Sequence, residues 1–90
     1  MEKTVYDIEG IKIEYEKIDP DNRDEVKKKT AFMFGKIREK SGMSRPDYAK
    51  WLGVPYRTMQ EWELGRRAMP EYVLRLIAYK VYNEMEKGAI

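Results

Sequence analysis

The sequence predicts a mainly α-helical domain of four helices that is preceded by a small N-terminal β-hairpin. In residues 4–18, apolar and aromatic side chains alternate with charged ones, which is the period of a half-buried strand. From residue 23 onward, apolar residues instead recur three and four positions apart, which is the spacing of helices. We therefore divide the chain into an acidic hairpin extension, residues 1–22, and a helical domain, residues 23–90.

The hairpin is predicted from its alternating residues, which are Tyr6, Ile8, Ile11, Ile13 and Tyr15. Glu9 and Gly10 interrupt the alternation and form a plausible turn between two strands. The turn cluster that follows contains Asp21 and Asn22, and either side chain is suited to cap the first helix. We expect the helical domain to fold without this hairpin.

The predicted helices span residues 23–40, 45–52, 56–64 and 71–86. The first three are followed by Gly42, Gly53 and Gly65, because glycine readily adopts the left-handed conformation that ends a helix. Ser44 with Asp47 approximates a capping box, and prolines precede the last two helices. The expected core positions are Val26, Thr30, Met33, Phe34 and Ile37 in the first helix, Met59 and Trp62 in the third, and Val73, Leu76, Ile77 and Val81 in the fourth.

Composition removes several classes of function. The 90 residues include no cysteine and no histidine, which excludes disulfides, ordinary zinc sites and histidine-based catalysis. No nucleophile has a neighbouring base and no glycine-rich phosphate loop is present, so we expect neither an enzyme nor a cofactor or metal. No apolar run approaches the roughly 20 residues that span a bilayer, so we expect a cytoplasmic protein with no membrane partner.

The net charge of +2 conceals a strong asymmetry along the chain. Residues 1–22 contain three lysines and seven acidic residues, a net charge of −4. Residues 23–90 contain fifteen basic and nine acidic residues, a net charge of +6. A positive field of this kind attracts a polyanion such as double-stranded DNA.

The second and third helices are predicted to form a helix-turn-helix, since two short helices and a glycine turn fit into about twenty residues. At about 100° per residue, the third helix directs one continuous polar face outward. On this face glutamine can pair with adenine and arginine with guanine. The predicted base-reading residues are Tyr56, Arg57, Gln60 and Glu61.

Residues 36–80 resemble the Xre/Cro family of bacterial and phage repressors. The residues at the family's core positions are Met43, Ala49, Leu52, Val54, Met59 and Trp62. Gly53 matches the turn glycine, and the run from Trp62 to Arg66 is similar to the family's aromatic or aliphatic-Glu-x-Gly-Lys/Arg ending.

This resemblance implies a lambda-repressor-like helix-turn-helix fold and a DNA-binding regulator of transcription, most simply a repressor. It implies a structural ion pair between Arg38 and Glu63. It also implies phosphate contacts from Arg45, Thr58, Arg66 and Arg67. The chain departs from the family in having Arg45 in place of a common glutamine, Pro55 in place of a common Ser or Thr cap, and no fifth helix for dimerisation.

A single module of this size binds DNA weakly, so we expect a homodimer. Candidate residues for the interface lie in the hairpin and in the fourth helix: Tyr6, Ile8, Ile11, Ile13, Tyr15, Tyr79 and Tyr82. Two alternatives remain open at this point. The chain could be an antitoxin whose residues 1–22 bind a toxin, or a protein-interaction module that does not bind DNA.

Overall fold

A computed structural model of the chain describes residues 2–90. The elements in chain order are β1 (Lys3–Ile8), β2 (Ile11–Glu16), α1 (Arg23–Ser41), α2 (Arg45–Leu52), α3 (Tyr56–Glu63) and α4 (Glu71–Glu86). The predicted mainly helical class with an N-terminal hairpin is therefore confirmed. The predicted boundaries of α2 and α4 agree with the structure, and those of α1 and α3 differ by one residue at the C-terminal end.

The hairpin is antiparallel, with a register that runs from Ile8 opposite Ile11 to Lys3 opposite Glu16. Its two turn residues both have positive φ, 50° at Glu9 and 97° at Gly10, as the tight turns of β-hairpins require. The Asp7 carboxylate accepts a hydrogen bond of 2.8 Å from the Gly10 amide. A Cβ at Gly10 would lie 3.1 Å from the ring of Tyr82, so glycine also permits the turn to pack closely on α4.

Side chains and glycines fix the ends of the first two helices. The Asn22 side chain accepts hydrogen bonds of 3.1 Å from the amides of Asp24 and Glu25, which satisfies two free donors at the start of α1. Gly42 ends this helix in the left-handed conformation, with φ of 74°. Ser44 caps the start of α2, since its hydroxyl accepts a hydrogen bond of 3.4 Å from the Asp47 amide.

One hydrophobic core joins α1, α2, α3, α4 and the hairpin. Its largest fully buried side chains are Tyr48, Phe34, Met33, Ile37, Met59 and Val81. Phe34 is central, since its ring lies 5.7 Å from that of Tyr48 and 6.0 Å from that of Trp62. This aromatic cluster packs α1 against α2 and α3.

The buried face of α4 agrees with the prediction at Ile77 and Val81, and Val73 is half-buried, but it differs at Leu76. Leu76 was expected inside, but its side chain is 63% exposed. The residues buried on α4 are Leu74, Ile77, Ala78 and Val81. Helix α4 is apolar over much of its circumference, and the neighbours that it packs against decide which side is buried.

Two hairpin residues belong to the same core. Ile11 and Ile13 are only 5% and 6% exposed, and β2 packs on α1 while β1 approaches α4. The shared core argues against the expectation that the helical domain folds without residues 1–22. It also corrects the proposal of these two isoleucines as dimer contacts, because their side chains are already buried within their own chain.

We predict that Ile13→Ala lowers the free energy of unfolding by about 2–4 kcal/mol, because it leaves a cavity beneath the hairpin. Val5 is the matched control, since it lies on the same hairpin and is 59% exposed. Val5→Ala should change stability by less than about 0.5 kcal/mol. Urea denaturation, monitored by circular dichroism, measures the free energy of unfolding of both variants. Equal destabilisation by the two substitutions would show that Ile13 contributes no more to the core than an exposed residue.

Candidate functional site

Helices α2 and α3 meet through a tight glycine turn. Each has eight residues, and the turn places Gly53 in the left-handed conformation, with φ of 73°. The Gly53 amide donates to the Lys50 carbonyl at 3.2 Å, and the Val54 amide donates to the Ala49 carbonyl at 3.0 Å. These bonds close the end of α2 and turn the chain directly into α3.

The N-terminal turn of α3 presents exposed side chains. The Tyr56 residue is 44% exposed, and the Arg57 side chain is 92% exposed. Gln60 lies one turn further along and is half-buried, as is Thr58. On the opposite side, Met59 is fully buried against the core. The helix is therefore fixed on one side, and its predicted base-reading residues lie on the surface or at its margin.

Glu61 is held in ion pairs within the chain. Its carboxylate lies 4.0 Å from the Arg57 Nε and 3.5 Å from an Arg67 Nη. Its backbone carbonyl accepts hydrogen bonds from the amides of Arg66 and Arg67, at 2.9 and 3.3 Å. Glu61 was predicted to read bases, but in the free protein it organises the loop after α3 and balances the charge of two arginines.

Glu63 joins three helices through two arginines. It accepts a hydrogen bond from the Arg38 Nε on α1 at 2.7 Å and another from the Arg45 Nε on α2 at 2.5 Å. Its side chain is only 6% exposed. The predicted contact between Arg38 and Glu63 is present, and Arg38 also donates to the Met43 carbonyl at 3.0 Å.

Arg45, the second arginine that pairs with Glu63, was predicted to contact DNA phosphates. The Arg45 guanidinium is partly engaged by Glu63, and the side chain as a whole remains 40% exposed. It therefore has a structural role that the sequence did not indicate, because pairing across α2 and α3 depends on how the helices cross. The remaining phosphate candidates, Arg66 and Arg67, lie exposed on the loop after α3.

A glycine in the middle of α1 allows Glu63 to approach. A Cβ at Gly35 would lie 3.3 Å from Glu63 Oε1, closer than most real contacts of that atom. Glycine inside a helix costs about 1 kcal/mol relative to alanine. Here the missing side chain leaves room for the carboxylate between α1 and α3.

Tyr48 lies fully buried beside this cluster. Its hydroxyl oxygen has no hydrogen-bond partner among the described residues. Burial raises the pKa of Tyr48 well above its ordinary value, and the Glu63 carboxylate raises it further, while Arg38 opposes the shift weakly. The hydroxyl is therefore held in its neutral form.

The candidate residues for a dimer interface differ in how far their side chains are exposed. Tyr6, Ile8 and Tyr15 are half-buried against the chain's own core. Lys29 lies over the Tyr6 ring at 3.9 Å, and Tyr15 packs on Phe32 at 4.8 Å. Tyr82 covers the hairpin turn, whereas Tyr79 is 59% exposed. Tyr72 and Leu76 lie exposed beside Tyr79 on α4. Leu76 was assigned to the core because apolar residues surround much of this helix, so their spacing alone did not identify its exposed side.

Within residues 2–90, none of the helices combines the length and the apolar character that crossing a membrane requires. The same residues form no cluster of acidic side chains suited to hold a metal ion. Comparisons with models of protein families, with curated proteins and with solved structures find no match. A function for this surface must therefore be argued from its own geometry and charge.

We predict that Glu63→Gln destabilises the protein by about 2–3 kcal/mol, since it leaves two partly buried guanidinium groups without their carboxylate. Glu61→Gln is the matched control, because its pairs are more exposed and should contribute less than about 1 kcal/mol. Chemical denaturation of both variants provides the comparison. Equal midpoints would show that the Glu63 cluster does not support the fold.

We predict that Tyr48→Phe raises stability by about 1 kcal/mol near pH 7, because it removes a buried hydroxyl that has no partner. Tyr56→Phe, at an exposed site, should have little effect. The difference between Tyr48→Phe and the wild type should also grow above pH 10. There the unfolded chain loses the Tyr48 proton while the folded chain retains it, which destabilises the wild type by up to about 1.4 kcal/mol per pH unit.

Unfolding midpoints at pH 8 and pH 10.5 test both parts of this prediction. A variant that is less stable than the wild type at both pH values would show that the hydroxyl has a partner that stabilises the fold.

Proposed function

We propose that the chain is a sequence-specific, double-stranded DNA-binding regulator with a lambda-repressor-like helix-turn-helix, acting as a cytoplasmic repressor. The proposal rests on the exposure of α3, on its packing and on the charges beside it. Its N-terminal side chains are exposed, its opposite side is fixed in the core, and exposed arginines lie beside it.

The dimensions of α3 fit this role. A helix with its side chains is about 10–12 Å across, and the major groove of B-DNA is about 12 Å wide. Recognition helices usually contact base edges through residues near their N-terminus. Tyr56 and Arg57 occupy that position, and Gln60 follows one turn later on the same face.

The charges near α3 support binding to the DNA backbone. Arg66 and Arg67 project from the loop after α3, and the partly exposed Arg45 lies at the start of α2. Contacts of this kind provide most of the affinity and fix the register of the protein on the duplex. In the proposed complex Arg57 and Gln60 choose the bases, and Tyr56 contacts a sugar or a thymine methyl group.

Two copies of the domain are part of the proposal. One copy presents few base-reading side chains, and specific sites are bound with dissociation constants of about 10⁻⁸ M or tighter. A two-fold dimer would place two recognition helices about 34 Å apart, one turn of the duplex, on the same side of the DNA. The preferred site would then be a pseudo-palindrome.

In vitro selection from random duplexes, with the full-length chain, tests the proposal. We expect an enriched pseudo-palindromic motif. On that motif Gln60→Ala should cost about 1–3 kcal/mol of binding free energy and relax the preference at one base position. If no motif is enriched and binding to all duplexes is weak, the chain is better explained as a protein-interaction module.

Arg66→Ala should weaken binding to specific and random duplexes alike and reduce the dependence of affinity on salt, because it removes a phosphate contact. Arg23→Ala is the control, since Arg23 is an exposed arginine at the start of α1 and lies outside α2, α3 and the loop after α3. Fluorescence anisotropy at two salt concentrations distinguishes them. Equal effects of the two substitutions would mean that net charge, and not the α3 surface, determines binding.

A further inference from the structure

Helix α4 carries three large apolar side chains on its outer face. Tyr72, Leu76 and Tyr79 are 68%, 63% and 59% exposed. Their spacing of four and three residues places them on one side of the helix, and the buried residues Leu74, Ala78 and Val81 lie on the opposite side. We name Tyr72, Leu76 and Tyr79 the α4 stripe.

The α4 stripe forms a groove together with Glu9 and Arg75, with a volume of about 440 Å³. Aromatic side chains bury about 150–250 Å² each, so the exposed part of the stripe is on the order of 400 Å². A stable protein–protein interface buries about 800 Å² on each partner. The stripe therefore provides roughly half of what one such interface requires.

The order of residues in the stripe reads nearly the same in both directions, with a tyrosine on each side of a central leucine. A two-fold interface uses the same surface twice, so it requires a pattern that is complementary to itself. If two α4 helices pack antiparallel with the axis near Leu76, the Tyr72 of one copy lies opposite the Tyr79 of the other. We propose that the occupant of this groove is a second copy of the chain in this antiparallel arrangement.

The charges beside the stripe are compatible with burial. The Arg75 Nε donates to the Glu9 carboxylate at 3.0 Å, so this charge has a partner within its own chain. Lys80 lies over the Trp51 ring at 4.6 Å, directed toward α2. Pairing the two stripes therefore need not bury an arginine or lysine without a partner, which would be costly. Tyrosine is also enriched at interfaces, because its ring is apolar and its hydroxyl remains satisfied at a wet rim.

This pairing rests on the proposed function in one respect, since it supplies the second copy that a two-fold DNA site requires. It can be measured without DNA. A monomeric protein that still selects a DNA motif would overturn the pairing and the two-fold part of the proposed function, but not DNA recognition by α3. A dimer that selects no motif would overturn the proposed function alone.

Sedimentation equilibrium of the full-length chain is the first test. We expect a dimer for the wild type at micromolar concentrations and a folded monomer for Leu76→Glu. Val5→Glu is the matched control, because Val5 has nearly the same exposure, 59% against 63%, but lies on β1. It should remain dimeric. A monomeric wild type, or a Leu76→Glu variant that stays dimeric with unchanged circular dichroism, would overturn the proposal.

Disulfide trapping tests the antiparallel arrangement directly, because the natural chain contains no cysteine. Leu76→Cys should form a disulfide-linked dimer on mild oxidation, while Val5→Cys should not. Tyr72→Cys and Tyr79→Cys should link mainly to each other when mixed. Each alone should link poorly, since two copies of the same position would lie roughly 10 Å apart along the helices, beyond the reach of a disulfide.

If Tyr72→Cys alone links as readily as the mixture does, the helices are parallel and the proposed arrangement is wrong. If none of the α4 variants links, the stripe does not pair with itself and the proposal is wrong.

Discussion

The position of α3 depends on the ion pairs that the Glu63 carboxylate forms with two other helices. This carboxylate lies at the last residue of α3 and accepts hydrogen bonds from Arg38 on α1 and Arg45 on α2. A carboxylate that is 6% exposed has lost most of its contact with water, and close partners must replace that contact. All three helices must therefore be in place before the cluster forms, and once formed it restricts how α3 can tilt relative to the other two.

The local features of the fold were predictable because their causes are local. Asn22 caps its own helix, and Gly42 and Gly53 end theirs through a backbone conformation that other residues adopt poorly. Arg45 shows the limit of such arguments. Its partner Glu63 lies eighteen residues away, and only the crossing of α2 with α3 brings the two together.

Helix α4 shows a second limit. Its apolar residues surround most of the helix, so periodicity alone could not decide between Leu74 and Leu76 as the buried leucine. The packing of α4 against the hairpin and α1 determines which of the two leucines is buried. Ile11 and Ile13 contribute to that core, although the acidic composition of residues 1–22 suggests a separate extension. For the candidate site, helical spacing was enough to propose residues on α3, but it could not predict the pairing of Glu61 with Arg57 and Arg67.

The pairing of Glu61 with Arg57 and Arg67 has a kinetic consequence for the proposed regulator. In the free protein these arginines already have an anionic partner, at 4.0 and 3.5 Å. To contact DNA, both arginines would have to leave these exposed pairs at a cost of less than about 1 kcal/mol each, which lowers but does not cancel the gain from a phosphate contact. In the proposed complex this cost would apply fully on non-target DNA, where phosphate contacts supply nearly all of the affinity, and it would shorten the time that the protein spends there.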